Sequence, residues 1–136
     1  MTDYELLQLS MRVGERLRVH QACVTTAESC TGGWIAKVLT DVAGSSAWFQ
    51  RGFVTYSNDA KQQMIGVSDA SLAHFGAVSE EVVREMALGA LREAGAQYAI
   101  SVSGIAGPDG GSEGKPVGTV WFRFAAESGE ALTLGQ

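Results

Sequence analysis

The sequence contains few of the residues on which several common classes of protein depend. Of its 136 residues, two are cysteine and two are histidine, so we expect neither a disulfide scaffold nor a metal site. No run of 18 apolar residues occurs, which argues against a transmembrane helix, and the charged amino terminus is not a signal peptide. Ten basic residues against 15 acidic ones argue against non-specific nucleic-acid binding. We therefore expect a cytoplasmic protein that binds neither nucleic acid nor membrane.

Glycine, by contrast, is abundant, with 17 residues against two prolines. Many of the glycines follow apolar runs, in the segments AESCTGG (27–33), AGSSAWF (43–49) and SGIAGPDGGSEGKPVG (103–118). Any one of them could mark an ordinary turn. A glycine at the end of a strand also lets the backbone approach a ligand closely or adopt a positive φ. Their joint placement favours a ligand site.

Strand-like and helix-like segments alternate along the chain, which predicts one α/β domain with a layered sheet. We expect Asn58 or Asp59 to cap a short helix, and Ser79 and Gly95 to bound a long one. The predicted helices cover about 3–20, 34–40, 61–65, 70–75 and 79–94, and the predicted strands cover 23–27, 53–57, 98–103 and 117–126.

Ligands of open α/β sheets bind beyond the carboxyl ends of the strands. We place the three glycine-rich segments and TYSNDAK (55–61) at such ends, where hydroxyls and free N–H groups would favour a negatively charged oxygen. The Walker and Rossmann patterns are absent. The predicted substrate-binding residues are Ser29, Thr31, Gly32, Gly33, Ser45, Ser103, Gly104 and Gly107.

The candidates for a catalytic base are few. His20 and His74 lie on helices, where structural roles suffice, so a Ser-His-Asp triad is poorly supported. Lys61 follows a predicted strand end by one helical turn; burial there would lower its pKa and make it a base, whereas the alternative is a solvated helix lysine. Cys30 could be a thiol nucleophile at a helix start, but with no histidine partner we favour a small buried residue.

A resemblance to a known family rests on three segments, AESCTGG, AGSSAWFQRGFVTYSNDAK and SGIAGPDGGSEGKPVGTVWF. Over about residues 2–124 the chain resembles the CinA carboxy-terminal domain family. Within that family the chain is similar to bacterial nicotinamide-nucleotide amidohydrolases. The resemblance implies a three-layer α/β/α sandwich with a mostly parallel or mixed central sheet. It also implies hydrolysis of the carboxamide of nicotinamide mononucleotide to nicotinate mononucleotide and ammonia, without a metal or cofactor.

The resemblance further implies a Ser/Lys dyad. Lys61 matches the lysine, Ser46 is favoured as the serine with Ser29 and Ser45 as lesser candidates, and Tyr56 matches the active-site tyrosine. Ser103 occupies the hydroxyl position before the GIAGPDGG loop. The family continues beyond the strand at 117–126 through another strand and a helix, so we expect the single domain 1–136 to lack them. We also expect a homo-oligomer, in the form of a dimer.

Two other functions stay open at this point. The chain could be a non-catalytic nucleotide-binding or regulatory domain, which the glycine loops would serve equally well, or a structural oligomerisation module. Release of ammonia from nicotinamide mononucleotide separates an enzyme from a binding module.

Overall fold

A computed structural model describes all 136 residues, with five helices and a five-stranded sheet. The strands are β1 Val24–Glu28, β2 Gly52–Val54, β3 Tyr98–Gly104, β4 Val120–Ala126 and β5 Ala131–Gly135. The helices are α1 Asp3–Val19, α2 Trp34–Thr40, α3 Asn58–Ile65, α4 Asp69–Phe75 and α5 Glu80–Ala94, with a 3₁₀ turn at Ser45–Ala47.

The sheet is mixed, with strand order β2-β1-β3-β4-β5. Strand β1 pairs in parallel with both β2 and β3, whereas β4 and β5 are antiparallel to their neighbours. The carboxyl ends of β1, β2 and β3 therefore meet at one edge of the sheet, which is where a ligand is expected.

Helices cover both faces of the sheet. The larger core lies between the sheet and α3, α4 and α5, and the smaller one lies under α1 and α2. This arrangement has three layers, as expected for the predicted fold class, and the prediction is confirmed. The larger core includes Ala27, Ile65, Leu72, Val83, Met86 and Ala99, and the smaller one includes Leu17, Val24, Leu39 and Trp48.

Local capping explains most helix boundaries. Thr2 forms a capping box with Glu5 at the start of α1. Ser79 caps α5, which ends at Gly95 with a φ of 63°, as the sequence predicts. The cap of α3 is Ser57, whose hydroxyl accepts from Ala60 N–H, and not Asn58 or Asp59.

Two strand predictions need correction, and one strand was not predicted. The segment predicted at 53–57 forms a strand only to Val54, because Ser57 is already the helix cap. Strand β4 begins at Val120 and not at 117, because Gly118, with a φ of 94°, is still in a turn. Strand β5 pairs with β4, so the chain has a strand after Ala126, which the sequence analysis expected it to lack.

No helix has the length and apolar character required to cross a membrane. No group of three histidine, cysteine or acidic side chains lies close enough to hold a metal ion.

Candidate active site

Ser29 immediately follows β1 at the ligand edge of the sheet. Its backbone N–H donates to Val102 O on β3, which fixes the residue beside the neighbouring strand. The residue is 7% exposed, so its hydroxyl lies in a largely enclosed position. Its Oγ donates a long hydrogen bond of 3.4 Å to Tyr56 O.

Lys61 lies in the first turn of α3 and is 1% exposed. Its Nζ is 3.0 Å from Ser29 Oγ, 3.0 Å from Thr55 O and 3.3 Å from Tyr56 O. The sequence analysis expected a shielded lysine within hydrogen-bond distance of a serine, and the structure has one. The serine, however, is Ser29 and not Ser46.

No carboxylate pairs with the Lys61 amine. The ion pairs of the protein join Arg18 to Glu15, Lys37 to Asp41 and Arg92 to Glu93. Burial therefore lowers the pKa of Lys61, because removing the amine from water penalises its charged form. An amine that gives up its proton more readily than a free lysine is suited to act as a base.

The three contacts of the amine suit an ammonium, which can donate one N–H to each of Ser29 Oγ, Thr55 O and Tyr56 O, and they also suit the neutral form after one proton is lost. A neutral amine has two N–H groups and one lone pair. The carbonyls of Thr55 and Tyr56 can accept the two N–H groups, which leaves the lone pair directed at Ser29 Oγ. When the Ser29 hydroxyl turns its single proton from Tyr56 O to this lone pair, it donates to the lysine, which is the arrangement needed for proton transfer from a nucleophile to its base.

The segment AGSSAWF lies at the other end of β1, which corrects the expectation for Ser46 and Ser45. Trp48 O accepts from Val24 N–H, at the amino end of the strand. With about 3.3 Å per residue, that end is roughly 13 Å from Glu28. Ser46 is exposed there, and Ser45 Oγ donates to Thr40 O at 3.4 Å. The burial of Trp48 explains why this segment lies at the amino end of β1. The Trp48 ring packs so closely against α1 that a Cβ on Gly14 would be 2.5 Å from it.

Strand β3 brings a second buried hydroxyl and a glycine to the same edge as Ser29. Because Glu28 is in register with Val102, the next residues along the two strands are Ser29 and Ser103. Ser103 is buried. A Cβ on Gly104 would lie 3.0 Å from Cys30 Sγ and 2.9 Å from Thr119 O, so only glycine fits without displacement.

The loop after Ser29 turns sharply into α2. Gly32 and Gly33 have φ values of 62° and 103°, which explains why glycine is needed at both positions. Gly107, at 81°, is likewise in a conformation that favours glycine, in the loop after β3. The backbone N–H groups of Cys30 and Thr31 donate to no oxygen of the protein. They are free to bind an acceptor on a ligand.

Cys30 fits the role of a small packed residue better than that of a nucleophile. Burial raises the pKa of its thiol, while the backbone N–H groups of Cys30 and Thr31 and the nearby Lys61 act in the lowering direction. The thiol is therefore protonated near neutral pH, whereas the reactive form is the thiolate.

Tyr56 contributes to the site through its backbone. Its carbonyl accepts from Lys61 and Ser29, while its side chain is 67% exposed at the rim. Thr31 also differs from the expectation of a free binding hydroxyl, because its Oγ1 donates to Glu28 at 2.6 Å.

Two contributors were missed by the sequence analysis. Thr55 supplies a carbonyl to Lys61, and backbone acceptors leave no signal in side-chain patterns. Glu28 is completely buried next to Ser29. The sequence indicated its role only by placing a single carboxylate at the end of a buried strand. A buried carboxylate is rare unless it has a specific partner.

Comparison with known proteins decides the family. The sequence profile of the CinA C-terminal domain matches residues 6–134, nearly the whole chain. The chain belongs to the CinA C-terminal domain family. The structure of a competence/damage inducible protein, CihA from Agrobacterium tumefaciens, superposes with a TM-score of 0.94 at 47% identity. That match covers 99% of this chain and 81% of the other.

Curated relatives in the CinA family carry a functional name. The nicotinamide-nucleotide amidohydrolase PncC of Escherichia coli (strain K12) is 71% identical over 133 residues, which are 98% of this chain and 81% of the relative. The protein of the same name from Enterobacter agglomerans is 62% identical over 136 residues, which are 100% of this chain and 83% of the relative.

Proposed function

We propose that this chain is a nicotinamide-nucleotide amidohydrolase, which hydrolyses the carboxamide of nicotinamide mononucleotide to nicotinate mononucleotide and ammonia. The names of relatives at 62–71% identity support the reaction and the substrate. The observation that carries the chemistry is the buried Lys61 amine, 3.0 Å from Ser29 Oγ and paired with no carboxylate.

In the proposed mechanism Ser29 is the nucleophile and Lys61 is the general base. The Ser29 hydroxyl proton passes to Lys61 Nζ as Oγ bonds to the carboxamide carbon, giving a tetrahedral oxyanion. The C–N bond then breaks, and Lys61 returns the proton to the leaving nitrogen, which departs as ammonia. Lys61 next takes a proton from water as the water oxygen attacks the ester carbon, and it returns that proton to Ser29 Oγ as the ester bond breaks and the acid is released.

The N–H groups of Cys30 and Thr31 are the proposed donors to the oxyanion. They directly follow the nucleophile and donate to no oxygen of the protein. A preorganised N–H donor stabilises the charge that develops in the transition state, and loss of one such donor typically slows turnover about 10²- to 10³-fold.

The proposed substrate-binding surface surrounds this dyad at the carboxyl ends of β1, β2 and β3. Ser103 and Gly104 lie beside Ser29 and Cys30, and the loop that contains Gly107 follows them. The exposed ring of Tyr56 lies at the rim, where it can contact a bound ring. The serines of the AGSSAWF segment have no part in this proposal, since they lie at the opposite end of β1.

Paired serine variants test the proposal. Ser29→Ala should lower kcat for ammonia release from nicotinamide mononucleotide by about 10³-fold or more, because no covalent attack can occur. Ser46→Ala is the matched control and should keep the kcat of the unmodified protein. The assay follows ammonia and nicotinate mononucleotide together.

Three results would contradict it. The assignment of Ser29 is wrong if its alanine variant stays active while Ser46→Ala is inactive. The reaction itself is wrong if the unmodified protein releases no ammonia. Binding of the nucleotide without turnover would instead identify a non-catalytic binding domain.

We further propose a cytoplasmic homodimer. Sedimentation equilibrium of the purified chain tests the assembly, and a monomer at micromolar concentration would contradict it.

A further inference from the structure

Glu28 is a fully buried carboxylate that has no cationic partner. Burying an ionisable group is costly unless it is paired or hydrogen-bonded. Three donors surround it. Oε1 accepts from Thr31 Oγ1 at 2.6 Å and from Ile35 N–H at 2.8 Å, and Oε2 accepts from Ala36 N–H at 2.9 Å.

These bonds hold the two ends of the loop that follows the proposed nucleophile. Glu28 is the last residue of β1, directly before Ser29, whereas Ile35 and Ala36 are in the first turn of α2. The residue at the usual capping position of α2 is Gly33, which has no side chain. Glu28 therefore accepts hydrogen bonds from the N–H groups of the first turn of α2, from the other end of the loop.

We propose that Glu28 is a positioning residue for catalysis, which holds residues 29–33 so that Ser29 and the N–H groups of Cys30 and Thr31 keep their reactive arrangement. The inference rests on the proposed function. A carboxylate fits this position better than any neutral side chain, because all three of its partners are donors and it offers only acceptors. A well-packed apolar residue would avoid the cost of burial but could not fix the loop.

The variant that isolates this role is Glu28→Gln. It preserves size and shape but replaces one acceptor oxygen with an NH₂ group, which must face an N–H or O–H donor. We expect kcat to fall about 10- to 100-fold, with a much smaller change in KM, because the displaced N–H donors act mainly in the transition state.

Backbone NMR gives a readout that does not depend on activity. In Glu28→Gln the amide resonances of Cys30 and Thr31 should shift, and hydrogen exchange at Ala36 or Ile35 should accelerate. Ser101→Ala is the matched control, since it deletes one buried hydrogen bond, to Val83 O, outside the loop. It should lose a comparable amount of stability with unchanged kcat and unchanged loop resonances.

The outcomes distinguish this inference from the proposed function. Unchanged kcat in folded Glu28→Gln, unchanged Cys30 and Thr31 resonances, or an equal kcat loss in Ser101→Ala would overturn the positioning role. If Glu28→Gln does not fold, Thr31→Val removes only one donor and should reduce kcat in the same direction by a smaller factor. If the unmodified protein releases no ammonia but the resonances shift, the proposed function fails and the role of Glu28 in holding the loop stands.

Discussion

The protonation of Lys61 decides whether the proposed chemistry can occur. A lysine in water titrates near 10.4, so it is almost entirely charged at neutral pH. Burial lowers the pKa of Lys61, the opposing charge effect of the nearby Cys30 is the smaller of the two, and no carboxylate pairs with the amine. The carbonyls of Thr55 and Tyr56 orient the amine toward Ser29 without adding a negative charge. The site thus combines a precise position with an environment that disfavours the ammonium form.

The pH dependence of turnover follows from this protonation state. The neutral amine is the active form, so kcat/KM should rise with pH through the lowered pKa of Lys61 and level off above it. Initial rates of ammonia release over a range of pH check this expectation. A kcat/KM that falls across the range where Lys61 loses its proton would contradict it.

Replacing Lys61 by arginine should abolish turnover while keeping a positive charge. Arginine cannot give up its proton in a protein, so it cannot act as the base, and we expect a loss of about 10³-fold or more in kcat. Lys37→Arg is the matched control, because Lys37 lies on the surface and pairs with Asp41. Appreciable activity in Lys61→Arg would exclude the dyad.

The lysine of the site could be predicted from the sequence, but its serine could not. Lys61 is one of three lysines and the one that follows a strand end, which left a buried base and a solvated helix lysine open, and the family resemblance decided for the base. The choice among Ser29, Ser45 and Ser46 depends on which end of β1 each occupies. That depends on the pairing of distant strands and on the burial of Trp48, which local patterns do not report.

At the scale of elements, the position of α3 relative to α5 places the catalytic amine. Gly89 on α5 lies against the last turn of α3, where a Cβ would be 1.8 Å from Ile65 O. Only glycine allows the two helices to approach this closely. The same helix α3 carries Lys61 in its first turn, so a shift of α3 would move the amine away from Ser29.

Gly89→Ala should therefore reduce both stability and activity. Overpacking of this kind typically costs about 1–3 kcal/mol, and a backbone contact cannot be relieved by a rotamer change. Denaturant unfolding and ammonia release provide the two measurements. Gly114→Ala is a suitable control for stability, since a Cβ there meets no atom within 4 Å and should leave the free energy of unfolding unchanged. Unchanged stability in Gly89→Ala would show that α5 and α3 can separate freely.

At the scale of the whole molecule, the alternation of apolar strands and amphipathic helices was enough to predict the layered sheet. Both capping residues of the long helix α5 were predicted correctly, because Ser79 and Gly95 mark its ends. Strand β5 was missed because ALTLG is short, partly exposed and poor in β-branched residues. It is stabilised by pairing with β4, which a local pattern does not show.

The central claim is that burial beside Ser29 lowers the pKa of Lys61, and an NMR titration of the lysine side chains tests it most directly. With only three lysines, protein labelled with ¹³C at lysine Cε gives three resonances, and Lys61→Met assigns one of them. The Lys61 resonance should titrate below 10.4, whereas that of Lys37, whose pKa is raised by its hydrogen bond to Asp41, should titrate above its usual value. A Lys61 resonance that titrates at or above the value of a free lysine would contradict the account.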